Sequence, residues 1–119
     1  MLALEGMKIL DFTQGMMGPL AAMMLSDMGA SVIKVERIQG EANRHGRPAG
    51  LDAFYKETPE QILDRGGWLG LNRNKRSLAI DIRQEQGKQV ILKLAKDADV
   101  FFHNFRPGVM EKLGLDYAV

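Results

Sequence analysis

The side chains best suited to chemistry are the cations Arg37, Arg73, Lys75, Arg76, Arg83 and Arg106. Guanidinium groups hold phosphate oxygens through paired hydrogen bonds, so such a set could grip a ligand carrying several phosphates. In Leu71-Asn-Arg-Asn-Lys-Arg-Ser77 cations alternate with amides, which supplies charge and neutral donors together. The same run also fits a solvated surface loop, the ordinary place for clustered charge. Both readings stand on the residues alone. The acids offer less: Asp11 ends one candidate strand, Asp81 lies within another, and no carboxylates are paired as a dyad. His45 and His103 are too few and too separated for a metal site. His103, at a strand end, fits either a hydrogen-bonded structural residue or a base, and geometry must decide before pKa does. There is no cysteine, which removes thiol nucleophiles, disulfides and thiolate metal sites.

Those residues need elements to place them. Met7–Asp11 reads as a short buried strand, and Phe12–Gly18 as a loop containing Gly15 and Gly18. Pro19 suits the first turn of a helix that runs through Leu20–Met28 and closes at Gly29. Ser31–Glu36 is β-branched and reads as a second strand, giving a strand–helix–strand unit with a parallel pair. From Arg37 to Gly67 the pattern is irregular, with a short helix expected over Pro59–Asp64; a stretch of this length is functional or disordered. Order returns at Trp68. Leu78–Ile82 alternates as a strand, and Gln84–Ala95 puts Val90, Ile91 and Leu94 on one helical face. Val100–Asn104 reads as another buried strand, and Val109–Leu113 as a short helix.

Alternating strands and helices predict an α/β fold, an open parallel sheet with flanking helices, in a single domain. Ligands of such sheets bind outside the carboxyl ends of the strands. That rule draws Thr13–Gly18, Glu36 with Arg37, and Asn104–Gly108 to one edge. The glycine loop followed by Glu36 raises a dinucleotide site, but Gly15 and Gly18 give G-x-x-G rather than G-x-G-x-x-G. Met16 and Met17 between them would hinder a pyrophosphate, and Gly18-Pro19 is equally a turn entering a helix. The methionines are read as core packing, with a Met-lined acyl pocket near the first loop as the alternative.

Bulk composition narrows the partners. Apolar residues make up 45% and charged residues 26%, as in soluble globular proteins. With 16 basic against 15 acidic residues the net charge is +1, so nothing global draws the chain to nucleic acid or an anionic membrane. No apolar run approaches the ~20 residues that cross a bilayer. Met1–Met7 lacks the basic and apolar regions of a secretory signal, and a cytoplasmic protein is expected.

Several segments together resemble the class III CoA-transferases, the CaiB/BaiF family, which includes formyl-CoA transferase, carnitine CoA-transferase and α-methylacyl-CoA racemase. They are Leu4-Glu-Gly-Met-Lys-Ile-Leu-Asp-Phe-Thr13, Gly18-Pro19, Leu25–Glu36, Leu71–Ser77, Asn104-Phe-Arg-Pro-Gly-Val-Met110 and Gly114-Leu-Asp-Tyr117. Their order and spacing make the signal, since each is weak alone. The resemblance implies a Rossmann-like CoA-binding domain within an enzyme of two interlocked subunits, with acyl-CoA and a carboxylic acid as substrates and no tightly bound cofactor. By position, the family's CoA contacts fall on Met16, Met17, Arg37, Leu71, Asn72, Arg73, Asn74, Lys75, Asn104, Phe105, Arg106 and Lys112. Lys112 stands where some members carry arginine, which keeps the charge without the planar fork.

Transferases of the family attack the donor thioester with an aspartate. The mixed anhydride so formed is resolved by CoA thiolate to an aspartyl thioester, which is nucleophilic catalysis by a carboxylate. The resemblance places that aspartate, and the His–Asp pair of the racemases, beyond the matched region. Residues 1–119 are therefore expected to be the amino-terminal CoA-binding portion, incomplete and without catalytic residues; Asp116 belongs to the ordinary Gly-Leu-Asp-Tyr sequel. The alternatives are the corresponding part of a 2-methylacyl-CoA racemase or epimerase, and a non-catalytic CoA-binding or association module.

Overall fold

A computed structural model describes residues 1–45 and 66–118. Its four strands are β1 (Lys8–Asp11), β2 (Ser31–Glu36), β3 (Arg76–Ala79) and β4 (Val100–Phe102), in the order β3-β2-β1-β4. Every pairing is parallel, with Leu10 beside Ile33 and Phe101, and Ile33 beside Arg76. The helices are α1 (Met17–Asp27), α2 (Ala42–His45), α3 (Gly66–Asn72), α4 (Glu85–Ala95) and α5 (Val109–Leu113). The α/β architecture is the one that the alternation of elements predicts.

Successive strand residues face opposite sides of the sheet, and this alternation builds two layers from one sequence. On one side Leu10, Phe12 and Val35 pack with Ile91 of α4 and Met110 of α5. The rings of Phe12 and Phe101 stack there, with centroids 4.5 Å apart. On the other side Ile9 and Val32 pack with Ala22 of α1 and with Ala30. Both faces are covered, as a parallel sheet requires.

Several boundaries differ from expectation, each for a local reason. Helix α1 begins at Met17, with the Leu20 N–H donating to the Met16 carbonyl, so Met17 and Gly18 belong to the helix rather than the loop, while Pro19 lies in the first turn as expected. The strand expected over Leu78–Ile82 is β3, Arg76–Ala79. Its last rung is the bond from Ile80 N–H to the Glu36 carbonyl, after which Asp81 accepts the N–H of Arg83 at 3.1 Å and turns the chain. Ile80 and Ile82 still reach the core from this turn, which explains why the alternation overruns the strand. Strand β4 stops at Phe102, because its partner β1 ends at Asp11. Helices α2 and α3 had no counterpart in the sequence reading, and Leu71–Ser77 divides between α3, a turn and β3 instead of forming one loop. The expected helix over Pro59–Asp64 lies outside the described residues.

Helix α4 shows how tightly it is set on the sheet. A Cβ added to buried Gly87 would overlap the Asp81 carbonyl, with the carbonyl carbon 2.8 Å away. Among the described residues nothing lies within 4 Å of a Cβ added to Gly70 in α3. Gly87→Ala should therefore destabilise the protein by about 1–3 kcal/mol despite improved helix propensity. Gly70→Ala should stabilise it by about 0.5–1 kcal/mol. Opposite shifts of the thermal midpoint in the two variants check both statements.

Candidate functional site

The parallel strands β1, β2 and β4 all end toward one edge, and the loops that follow them meet there. Asn104 joins two of these loops with its whole amide. Its Oδ1 accepts the Gln14 N–H at 2.8 Å, and its Nδ2 donates to the Gln14 carbonyl at 2.8 Å. Alongside lies a cavity of about 330 Å³. Its floor is apolar, made by Phe12, Val35, Ile80 and Phe105 among others, while Gln14, Arg37 and Arg83 stand at its rim. Arg37 is exposed and donates through Nε to the Gly40 carbonyl at 2.8 Å. Arg83 forks onto Asp81 at 2.9 and 3.0 Å, and these hydrogen bonds hold the Asp81 carboxyl below its ordinary range. An apolar slot with the Arg37 guanidinium at its mouth suits a ligand that joins a flat or aliphatic group to an anion.

The opposite face of the same strand ends is ionic. Alternation sends Asp11, Lys34 and Glu36 toward α1, and all three are buried. Lys75, with its side chain 1% exposed, donates to Asp11 Oδ2, the Pro19 carbonyl and Asn72 Oδ1, each at 2.9 Å. Lys34, equally buried, donates to the Thr13 carbonyl and lies 2.9 Å from Glu41 Oε2, as an ion pair lacking the angle of a hydrogen bond. Glu36 accepts both arms of Arg44 at 2.7 and 2.8 Å, and that guanidinium lies over the Trp68 ring, 3.4 Å from its centroid. Burial opposes ionisation of Glu36, but the Arg44 hydrogen bonds and charge, aided by Lys34, outweigh it and hold its carboxyl below the ordinary value. Burial lowers the Lys75 ammonium below its ordinary value, and Asp11 offsets only part of the shift.

The residues singled out from the sequence thus fall into three groups. Arg37 and Phe105 line the cavity, Asn104 fixes the neighbouring loop, and Met16 and Met17 stand exposed where that loop enters α1. Arg106 lies across the Asn104–Pro107 segment, beside a second depression of about 590 Å³ between α4, β4 and α5. His103 borders that depression and stacks on Phe105 with centroids 6.0 Å apart, while Lys112 is exposed on α5. The third group lies on the α1 side. Leu71 is half-buried in α3, and buried Asn72 donates to the Trp68 carbonyl at 2.9 Å. Arg73 and Asn74 bind Asp27 of α1, whose carboxyl Arg73 lowers, and Lys75 is committed to Asp11.

Two features of the edge went unread in the sequence. One is the ionic set of Lys34, Glu36, Glu41 and Arg44. Its signal was present, because Lys34 and Glu36 share the parity of Val32 in a strand that a parallel sheet buries on both faces. The other is the close approach at Gly18, read in the sequence only as part of a glycine loop or turn: a Cβ there would stand 2.5 Å from the Thr13 Cβ, and the first turn of α1 lies against the loop only because that atom is missing. The Arg44 fork also occupies Glu36, which removes the ribose-binding acid that a dinucleotide site would need.

A parallel sheet with helices on both faces and a slot outside its strand ends has the plan on which α/β folds bind ligands. The chain belongs to CoA-transferase family III, whose sequence profile matches residues 4–119. It is 43% identical over 118 residues to an acyl-CoA transferase of Fusarium pseudograminearum, covering 98% of this chain and 25% of that protein. It is 41% identical over 117 residues to the human succinyl-CoA:glutarate CoA-transferase, covering 96% of this chain and 24% of that protein. Among solved structures it matches a CaiB/BaiF family protein from Brucella suis with a TM-score of 0.82 and 32% identity, over 98% of this chain and 29% of that one. The chain spans about a quarter of the length of the curated relatives it matches.

The Glu36–Arg44 pair makes stability depend on pH. A carboxyl depressed in the folded state contributes stability above its unfolded value, near the ordinary 4.5, and loses it as the pH falls through the folded value. Glu36→Gln should cost about 2 kcal/mol at neutral pH, since the buried ion pair of Glu36 with Arg44 is lost. The difference from wild type should shrink steadily below pH 4.5 in denaturant titrations. A gap that stays constant down to the acid transition would exclude the pair as its source.

Proposed function

We propose that the protein is a class III CoA-transferase that moves CoA from an acyl-CoA to a carboxylic acid, and that residues 1–119 form the amino-terminal part of its CoA-binding domain. Membership of the family and the names of the relatives support this reading. The observation that carries it is the apolar slot rimmed by Arg37 and lined by Phe105 at the carboxyl ends of parallel strands. CoA joins a nucleotide carrying a 3′-phosphate and a pyrophosphate to a thiol-bearing chain, so it offers a flat apolar ring and several anionic groups to such a slot.

In this reading Met16 and Met17 present backbone to the ligand, Arg37 and Arg106 supply charge from either side of the Asn104–Pro107 loop, and Phe105 gives apolar surface. Leu71, Asn72, Arg73, Asn74, Lys75 and Lys112 complete the contacts that the family resemblance assigns. The internal bonds of Asn72 and Lys75 make their contribution one of support from beneath. No carboxylate of this chain takes the nucleophile's part. An aspartate elsewhere in the protein attacks the acyl-CoA carbonyl, expels CoA thiolate and forms a mixed anhydride. The thiolate then attacks the aspartyl carbonyl of that anhydride, releases the donor acid and leaves an aspartyl thioester. The acceptor carboxylate takes the place of the departed acid, and the steps run in reverse to give the new acyl-CoA. The protein works as an interlocked homodimer in the cytoplasm, with CoA as substrate rather than resident cofactor. Among the described residues no helix is long and apolar enough to cross a membrane.

Calorimetric titration with CoA tests the binding assignment. Wild type should bind saturably, and Arg37→Ala and Arg106→Ala should each weaken binding by about tenfold, the effect of losing one charge-assisted phosphate contact. Equal binding by wild type and both variants, or none by folded wild type, would sink the assignment.

A further inference from the structure

The loop after β1 is held at nearly every backbone polar group from Thr13 to Gly15. Asp11 Oδ1 accepts the Thr13 N–H at 2.9 Å and the Thr13 hydroxyl at 2.5 Å. The Thr13 carbonyl accepts from the Lys34 ammonium. Asn104 takes both the N–H and the carbonyl of Gln14, and Asn43 Nδ2 of α2 donates to the Gly15 carbonyl at 2.7 Å. Partners from β1, β2, α2 and the loop after β4 thus converge on three consecutive residues.

Lys34 is the unexpected member. It lies on the α1 face of β2, two residues after Val32, where an aliphatic side chain would pack without the desolvation cost of an ammonium. Its ammonium is buried among Thr13, Glu41 and the surrounding acids, so it does not reach a ligand. What it supplies is direction. A cation beneath the Thr13 carbonyl fixes the plane of the Thr13–Gln14 peptide, and that plane sets where Gly15, Met16 and Met17 emerge. Asn43 fixes the same turn from the side through Gly15.

We propose that Lys34 and Asn43 are positioning residues of the CoA site, holding the first loop so that Met16 and Met17 meet the ligand. This rests on the CoA reading above. The experiment measures CoA affinity in the intact protein for wild type, Lys34→Met, Asn43→Ala and Val32→Ala, under conditions where each is folded by circular dichroism. Val32→Ala is the control for general loosening: it removes buried methyl groups from the same strand and face, among Ile9, Ala22 and Ala30. Lys34→Met should bind CoA about tenfold more weakly and Asn43→Ala about threefold, as expected for a site whose support is loosened. Val32→Ala should lower the thermal midpoint with CoA affinity within about twofold of wild type. Hydrogen exchange of the Gln14 amide should quicken in Lys34→Met without ligand, a readout that does not depend on CoA. Should Lys34→Met fail to fold, the half-buried, peripheral Asn43→Ala decides the matter. Unchanged affinity in the loop variants, or an equal loss in Val32→Ala, overturns the positioning role while leaving the CoA site standing. Folded wild type that binds no CoA overturns the reading of the site itself, and the role with it.

Discussion

Charges buried beneath a parallel sheet have no water to turn to, and each must find a partner of opposite sign in the protein or remain at a cost of several kcal/mol. Asp11, Lys34 and Glu36 face that constraint together on the α1 side of β1 and β2. Among the described residues three acids and three bases settle it: Asp11 with Lys75, Glu41 with Lys34, and Glu36 with Arg44. The partners come from far along the chain, since Lys75 precedes β3 and Arg44 lies in α2. The ionic layer therefore does what an apolar layer could not. It specifies which segment packs where, because a shifted α3 or β3 would strand an acid without its base.

The same alternation explains why the two sides of the strand ends differ in character. Residues of one parity make the ionic layer, and those of the other parity, Leu10, Phe12 and Val35, make an apolar floor. The cavity lies over the apolar parity, and the ionic layer holds the loop that borders it. A rigid support and a slot open to solvent thus come from adjacent residues of the same two strands. Precision at a site depends on such support, because a loop on its own is the most mobile part of an α/β unit.

Much of this architecture was legible in the sequence. Ser31–Glu36 is β2 with both ends as read, and Val109–Leu113 is α5, because β-branched runs and compact apolar turns are local signals. The convergence of Thr13–Gly18 with Asn104–Gly108 followed from one rule about parallel sheets, and the Asn104–Gln14 clamp realises it. What escaped was long-range. Helix α3 carries Gly66, Gly67 and Gly70, which no propensity scale favours; it has buried Trp68, Asn72 bonded to the Trp68 carbonyl, and α1 alongside. Boundaries failed where a side chain captures the backbone, as Asp81 does after β3.

The cations make the same point about chemistry. Arg37, Arg73, Lys75, Arg83 and Arg106 look alike in the sequence, each a positive charge near a turn. The fold sorts them by the acids it brings near. Lys75 is matched to buried Asp11, and Arg73 to Asp27 at the end of α1. Arg83 is matched to Asp81 within its own turn. Arg37 and Arg106 follow β2 and β4 and form no ion pair among the described residues, so their charge remains directed outward along the edge where the strands end. A charge already satisfied by an acid has little left to give a phosphate, whereas one held only by a neutral carbonyl keeps most of its field. Sequence pattern could identify the set of cations, but only the pairing with Asp11, Asp27 and Asp81 could divide it into those held by an acid and those that keep an outward charge.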